Sequence, residues 1–397
     1  MARSLLLPAL PVLLVLGGLL MQPTASAVAR EDNTPRQRGT PEPPSHREQR
    51  REAIRRGCDF LCGKPGSVPS MKDYRGRQRA DGGFGDNRVV VSLTALSALA
   101  LMADGSTDGR GRHGMAVRRA IDFLLKLIET PKPGAKADGT GGRYPKGYFW
   151  HPKDTTSRMH GQGYATLALA TALGTSTGRR AARIRAALIE AVKCAEVAQT
   201  RHGGFGYHPV PSTDHEGSVT VAIAQGLRAA RDSGITVSNT LVIRGLGYLK
   251  KSQKQDGSFQ YSLHQDQSSY ALTAAALSSF FLYGEYDEDP STRSHTRAIN
   301  YMRERLKHHP EVSWYYYGHF YGAWACWQYD GHTWKDNGRN LWGWWHKRVY
   351  PHLMSRQTRS GSFEPDSGRY DYGPVLSTAF AVLTLAIPDE TIPVFQR

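Results

Sequence analysis

The sequence predicts an all-α protein, an α/α toroid of about six outer and inner helix pairs. Three observations predict it: a glycine–aromatic loop phrase that recurs along the chain, an apolar small-residue run after each copy, and an amphipathic basic run before it. The chain has 397 residues, 40% of them hydrophobic and 22% charged, which is enough to bury a sizeable core and excludes a disordered chain or a disulfide-stapled miniprotein.

The chain opens with an address label. Arg3 supplies a positive start, residues 5–21 are apolar but carry Pro8 and Pro11, and Ala25-Ser26-Ala27 offers small residues for a signal peptidase. About 17 apolar residues interrupted by two prolines fall short of the roughly 20 that a spanning helix needs. Residues 1–27 are therefore expected to be a cleaved signal peptide, and the protein to be exported. Residues 28–46, rich in Pro, Arg, Glu and Thr, are expected to form a disordered linker, with residues 47–397 forming the toroid domain.

The loop phrase reads Gln78 to Phe84, Gln199 to Phe205, Gln253 to Phe259 and Gln357 to Phe363, each with Gly four residues after the Gln. The phenylalanines are 121, 54 and 104 residues apart, so two degenerate copies are expected, with Gly141-Gly142-Arg143-Tyr144 and the run Trp314 to Tyr317 as candidates. Glycine permits positive φ in a tight turn, Asp caps, Gln reaches a neighbouring helix end, and Phe fills the wedge between units. Inner helices are expected at the runs starting near Val91, Tyr164, Val219, Tyr270 and Ser377, and outer helices at Ala116–Ile128, Arg180–Ala198 and Ile243–Ser252. An open stack would leave the apolar inner helices uncovered at both ends, so the ring should close.

The Gln, Gly and aromatic loop followed by a Ser/Thr-Ala-rich helix resembles the repeat of the squalene–hopene cyclase and protein prenyltransferase superfamily over residues 47–390. The resemblance implies a terpenoid cyclase/prenyltransferase-like toroid, and activities of two kinds: cyclising a polyisoprene by protonation, or transferring a prenyl group to a protein cysteine. The cyclase acid is an Asp-x-Asp-Asp stretch before an inner helix, and the best match here, Asp266-Gln267-Ser268-Ser269, lacks its later acids. The transferase zinc site needs Asp, Cys and His to converge, and no ligand pattern surrounds Cys326, the one cysteine on an expected inner helix. The thioester motif of complement-like relatives is broken at Lys64. A toroidal polysaccharide lyase remains a rival, as does a noncatalytic envelope scaffold.

Candidate site residues cluster where inner helices should begin. Asp266, His319, Asp371 and His215 are the candidate acids or bases; Trp150, His151, Asp154, His160, Tyr164, Tyr207, Asp214, Tyr315, Tyr316, Tyr321 and Tyr372 are the candidate ligand contacts. Alternate helices of a toroid run the same way, so these starts should meet at one mouth of a central cavity that binds an apolar, lipid-like or a polymeric ligand. Four cysteines without a CxxC pair or a Cys/His cluster at zinc spacing suggest free thiols and no metal, and no cofactor is expected. No phosphate cradle, helix-turn-helix or RNA-binding signature is present, so no nucleic acid is expected as partner. The net charge of +16 is spread over the outer helices, where it suits peripheral contact with an anionic envelope surface.

The exported chain should begin at Val28. N-terminal sequencing of the secreted protein should return Val28, and a chain that retains Met1 would contradict the reading of the leader.

Overall fold

In the computed structural model, residues 44–63, 78–85, 87–132, 144–211, 214–286, 289–329, 341–366 and 372–396 are described. Their order is α1 (Pro44–Cys62), α2 (Val90–Ala103), α3 (Gly114–Glu129), α4 (Arg158–Leu173), α5 (Gly178–Ala198), α6 (Gly217–Asp232), α7 (Asn239–Lys251), β1 (Gln260–Ser262), β2 (Gln265–Ser268), α8 (Tyr270–Leu282), α9 (Ser294–Arg305), α10 (Tyr315–Tyr329), α11 (Leu341–Ser355) and α12 (Pro374–Ala386). The even-numbered helices pack in the cycle α2–α4–α6–α8–α10–α12 and back to α2, and α1 lies on α12 at the closure. The odd-numbered helices surround them, giving the α/α toroid that the repeats imply.

Composition sorts the two rings. Every residue of α2 is buried, and α8 and α12 bury nearly all of theirs, which suits runs of Ala, Leu, Ser and Thr with no charge. In α3 a single face is buried, from Ala116 and Val117 through Ile121 and Leu124 to Ile128, while Arg118, Arg119 and Lys126 stay in solvent. The expected inner and outer runs fall inside helices of the matching ring, except that Ser252 caps α7 just past its end. Helix α1 begins at Pro44, three residues inside the expected linker, because its buried face starts with Arg50, whose guanidinium donates to Asp389 at 2.8 and 2.9 Å and to the Leu385 carbonyl at 2.7 Å. That bidentate pair ties the first helix to the end of the last.

The loop phrase is a clamp between successive outer helices. Each Gln amide donates to its own loop's Gly carbonyl and to a carbonyl on the next outer helix: Gln78 to Gly82 and Ala116, Gln199 to Gly203 and Leu241, Gln253 to Gly257 and Ser294, Gln357 to Gly361 and Ala53. The second distances are 2.8 to 2.9 Å. The last clamp bridges residues 304 apart and closes the ring. These glycines have φ of 89° to 93°, and a Cβ on any of them would strike the carbonyl of an Arg three residues beyond the clamped one: Arg119, Arg244, Arg297 or Arg56. The phenylalanine amides then donate to Thr94, Thr220, Thr273 and Thr378 of the following inner helix at 2.9 to 3.2 Å, with the rings fully buried.

Both degenerate copies differ from expectation. Residues 141–143 lie outside the described residues, and the second clamp is built at Gly147-Tyr148-Phe149. Here Gln162 of α4 does the work of both loop Gln and helix Thr: it accepts from the Phe149 amide at 3.0 Å and donates to Gly147 at 2.9 Å and to Ala191 at 3.4 Å. In the fifth unit the run from Trp314 opens α10 itself, and the residue in the Thr position is His319, whose Nε2 bonds the Pro310 carbonyl at 2.8 Å. The all-α expectation also misses a two-stranded antiparallel hairpin, β1–β2, inserted before α8.

Phe205→Ala should cost about 3–5 kcal/mol, since it empties a buried wedge. Gly203→Ala should also destabilise the protein, because φ is 93° and the Arg244 carbonyl blocks the Cβ. Denaturant unfolding checks both, and unchanged midpoints would remove the structural basis of the repeat.

Candidate functional site

Each inner helix brings its first turn to the same rim, and there the ring leaves a cavity of about 230 Å³. Its wall takes Ser92 and Leu96 from α2, His160 and Tyr164 from α4, Ser218 from α6, Leu272 from α8, Tyr317 from α10 and Leu376 and Phe380 from α12, so all six inner helices contribute. Tyr207, Trp314 and Tyr372 add side chains from loops, and Tyr261 one from β1. The Tyr207 and Tyr261 hydroxyls bond each other at 2.7 Å. Trp314 holds a left-handed backbone (φ 58°), an uncommon conformation for so bulky a residue, and stands partly exposed at the edge.

Below the cavity the centre of the ring is filled with aromatic rings. Tyr164 meets Phe380 edge-on at 6.3 Å, Tyr317 lies 4.6 Å from Tyr321, and Phe320 packs on Phe380 and Trp324. Tyr321 donates to Gln225 at 2.9 Å and stands 3.3 Å from the Tyr164 hydroxyl. Burial raises the pKa of Tyr164, Tyr317 and Tyr321, so these phenols stay neutral.

Two polar groups of the wall, His160 and Ser218, have a charged neighbour. His160 Nε2 lies 2.7 Å from Ser218 Oγ and 3.4 Å from Glu216, a buried carboxylate that caps α6 by accepting from the Ser218 and Val219 amides at 2.7 and 3.1 Å. Burial lowers the His160 pKa, against the pull of Glu216. Glu216 and Ser218 both reach the same ring nitrogen, so the trio is not a nucleophile–base–orienter relay. Among the described residues no Asp or Glu lines the cavity.

Of the residues singled out from sequence, His160, Tyr164, Tyr207 and Tyr372 meet at this cavity, and Tyr321 lies beneath it. The others serve elsewhere. Asp154 accepts from the Val91 and Ser157 amides at 2.9 and 3.0 Å and so joins the starts of α2 and α4. Trp150 and His151 pack beside Tyr144 and Phe123, away from the cavity. Asp214 is exposed, and His215 is buried against Tyr248 at 3.0 Å. Tyr315 bonds His352, and Tyr316 donates to the Glu364 carbonyl. Asp266, expected as a cavity acid, lies on β2 with an 81% exposed side chain paired to Lys254 at 2.9 Å, because the hairpin carries it out of the ring. Asp371 lies outside the described residues. His319 belongs to the clamp, and burial pushes its pKa down to about 3, which holds it neutral near neutral pH. The sequence reading passed over Ser218, Tyr261, Leu272, Leu376 and Phe380; the positions of Ser218, Leu272 and Leu376 at helix starts carried a signal, while Tyr261 sits on the unpredicted strand β1.

No protein-family model and no curated protein sequence matches the chain. Solved structures do. A type II terpene cyclase, MstE from Scytonema in its apo form, matches at TM-score 0.50 and 18% identity over 88% of this chain and 99% of that one. The fold is a terpenoid-cyclase-like α/α toroid. D-mannose isomerase matches at TM-score 0.57 and 11% identity over 88% of this chain and 99% of its own, and an α-1,6-mannanase from Salegentibacter sp. at 0.54 and 8% over 88% and 100%. At these identities the likeness speaks for the toroid alone.

His319 gives the fold a measurable acid sensitivity. Its folded pKa lies below the unfolded value of 6.5, so the unfolded chain binds the proton first, and stability falls as pH drops from about 6.5 toward 3, by about 1.4 kcal/mol per pH unit. His319→Gln, which places at this position the residue that α4 uses, should flatten that part of the stability profile in urea unfolding between pH 4 and 7; an unaltered slope would show that His319 is not held neutral.

Proposed function

We propose that the exported toroid binds an apolar chain of the isoprenoid class in its central cavity, with the chain's polar end held by His160, Ser218 and the paired hydroxyls of Tyr207 and Tyr261. The observation that carries this reading is the wall itself: leucine, alanine and aromatic side chains from five of the six inner helices, the sixth giving Ser218, with no acidic side chain among the described residues that line it. Ser, Thr, Tyr and His side chains line it too, but most of its accessible surface is apolar and His160–Ser218 and Tyr207–Tyr261 are already bonded in pairs, which favours an apolar ligand over a saccharide. At about 230 Å³ the cavity is smaller than the roughly 300 Å³ of ordinary ligand sites, so it suits a linear segment.

Protonating an alkene needs a carboxylic acid aimed into the cavity. Among the described residues the nearest buried carboxylate is Glu216, whose oxygens face the α6 amides, Ser218 and His160. The described residues support binding and presentation of the chain, with export supported by the leader and peripheral attachment to an anionic surface supported by the basic outer helices. The neighbours include both a terpene cyclase and sugar-directed enzymes, so the choice rests on the wall chemistry of this chain.

Mass spectrometry of the purified secreted protein should find an isoprenoid lipid retained after gel filtration. Leu376→Trp and Ala271→Trp, which fill the cavity from two sides, should each cut retention of a fluorescent polyisoprenol at least about tenfold while helical circular dichroism is kept. Retention of a glycan in place of lipid, or undiminished polyisoprenol binding in both variants, would overturn the assignment.

A further inference from the structure

Three histidines that the cavity does not use come together beside its rim. His202 sits in the loop between α5 and α6, His215 two residues before α6, and His264 at the turn of the β1–β2 hairpin. Their ring centroids are 4.9 Å (His202–His215), 4.9 Å (His215–His264) and 5.7 Å (His202–His264) apart. Each offers a ring nitrogen within 4.8 Å of the other two.

Ring packing alone does not account for the arrangement. His215 is 5% exposed, and its Nε2 has no hydrogen-bond partner, an expensive state for a buried polar atom. Its Nδ1 is matched, facing the Tyr248 hydroxyl at 3.0 Å. That is the arrangement a ligating histidine needs: one nitrogen fixed by a partner behind it, the other left for an ion. His264 is exposed and His202 half-buried, so the nitrogens are open to solvent on one side.

We propose that His202, His215 and His264 bind a divalent transition ion of the zinc class, with one coordination position left to water. Zinc takes imidazole nitrogens at about 2.0–2.1 Å, which in a tetrahedron sets them about 3.4 Å apart. The ring nitrogens need to close by no more than about 1.4 Å from their 4.8 Å limit, within reach of side-chain rotation at the two more exposed histidines. Imidazole donors suit zinc, copper and nickel and disfavour magnesium and calcium. The surrounding charges are mixed. Arg201 donates to His202 Nε2 at 3.2 Å, a contact the ion replaces or leaves in place by binding Nδ1. Lys251 adds positive charge near His202, and Asp214 adds negative charge near His215.

The ion would join the α5–α6 loop to the hairpin. The same two segments supply Tyr207 and Tyr261, whose hydroxyls meet in the cavity wall. The metal therefore braces one side of the cavity without reaching into it.

The test is titration of the metal-stripped, full secreted chain with Co²⁺, followed by displacement with Zn²⁺. One equivalent should bind with the strong visible absorption of tetrahedral cobalt, and zinc should bleach it. His202→Ala and His264→Ala, both at accessible positions, should each weaken binding by more than tenfold, and Tyr248→Phe by about tenfold through the lost support of His215. His308→Ala, exposed and outside the cluster, should bind like the parent protein. Absence of stoichiometric binding by the parent protein, or unchanged binding by the His202→Ala/His264→Ala double variant, would overturn the proposal. Neither result bears on lipid retention in the cavity, which is read separately.

Discussion

One side-chain amide, donating twice, holds this molecule in a ring. A toroid needs successive helix pairs set at a fixed angle, and apolar packing alone does not choose that angle, since it is non-directional. The Gln carboxamide does. With one hydrogen on its own loop's Gly carbonyl and the other on the next outer helix, it fixes a loop to a neighbour some forty residues along the chain, and in the closing unit to one 304 residues back. The glycine must lie flat against that helix, and the phenylalanine must bury behind it, so the phrase needs all three residue types together. Where the loop lacks its Gln, α4 supplies Gln162 from the other side; where α10 lacks its Thr, His319 ties the loop instead.

Ring closure decides what the centre can be. Six inner helices, five rich in small side chains and α10 rich in aromatic ones, bring six first turns to one rim, and the aromatic layer of Tyr164, Tyr321, Phe320 and Phe380 floors the space between them. The result is a shallow apolar cavity with hydroxyls and one histidine on its wall. Glu216, the carboxylate nearest it among the described residues, is spent on the start of α6, so the described wall offers shape and hydrophobicity.

The repeat, the two rings and their closure were legible in the sequence because each loop copy carries its own Gln, Gly and Phe within seven residues. The second copy was not, because Gln162 stands thirteen residues after Phe149 and on the helix. The site was legible only as a place. Helix starts pointed to the right rim, and His160, Tyr164, Tyr207 and Tyr372 reach it, but a one-residue difference of phase on a helix separates Tyr317, which lines the cavity, from Tyr316, which turns to Glu364. Asp266 failed as a cavity acid because a hairpin unseen in the sequence carries it outward. The histidine trio was illegible for a different reason: its members are thirteen and forty-nine residues apart, and only the hairpin turn brings the third to the other two.

The claim on which the rest depends is that the clamps belong to the core and not to the surface. Native-state amide hydrogen exchange tests it directly at Phe84, Phe205, Phe259 and Phe363, whose amides donate to threonine hydroxyls inside the ring. On this account the four amides exchange only with global unfolding, at the same free energy as the inner-helix amides around Leu96 and Ala275. Exchange at the four by local opening, well ahead of those helices, would show that the loops decorate a ring held together by something else.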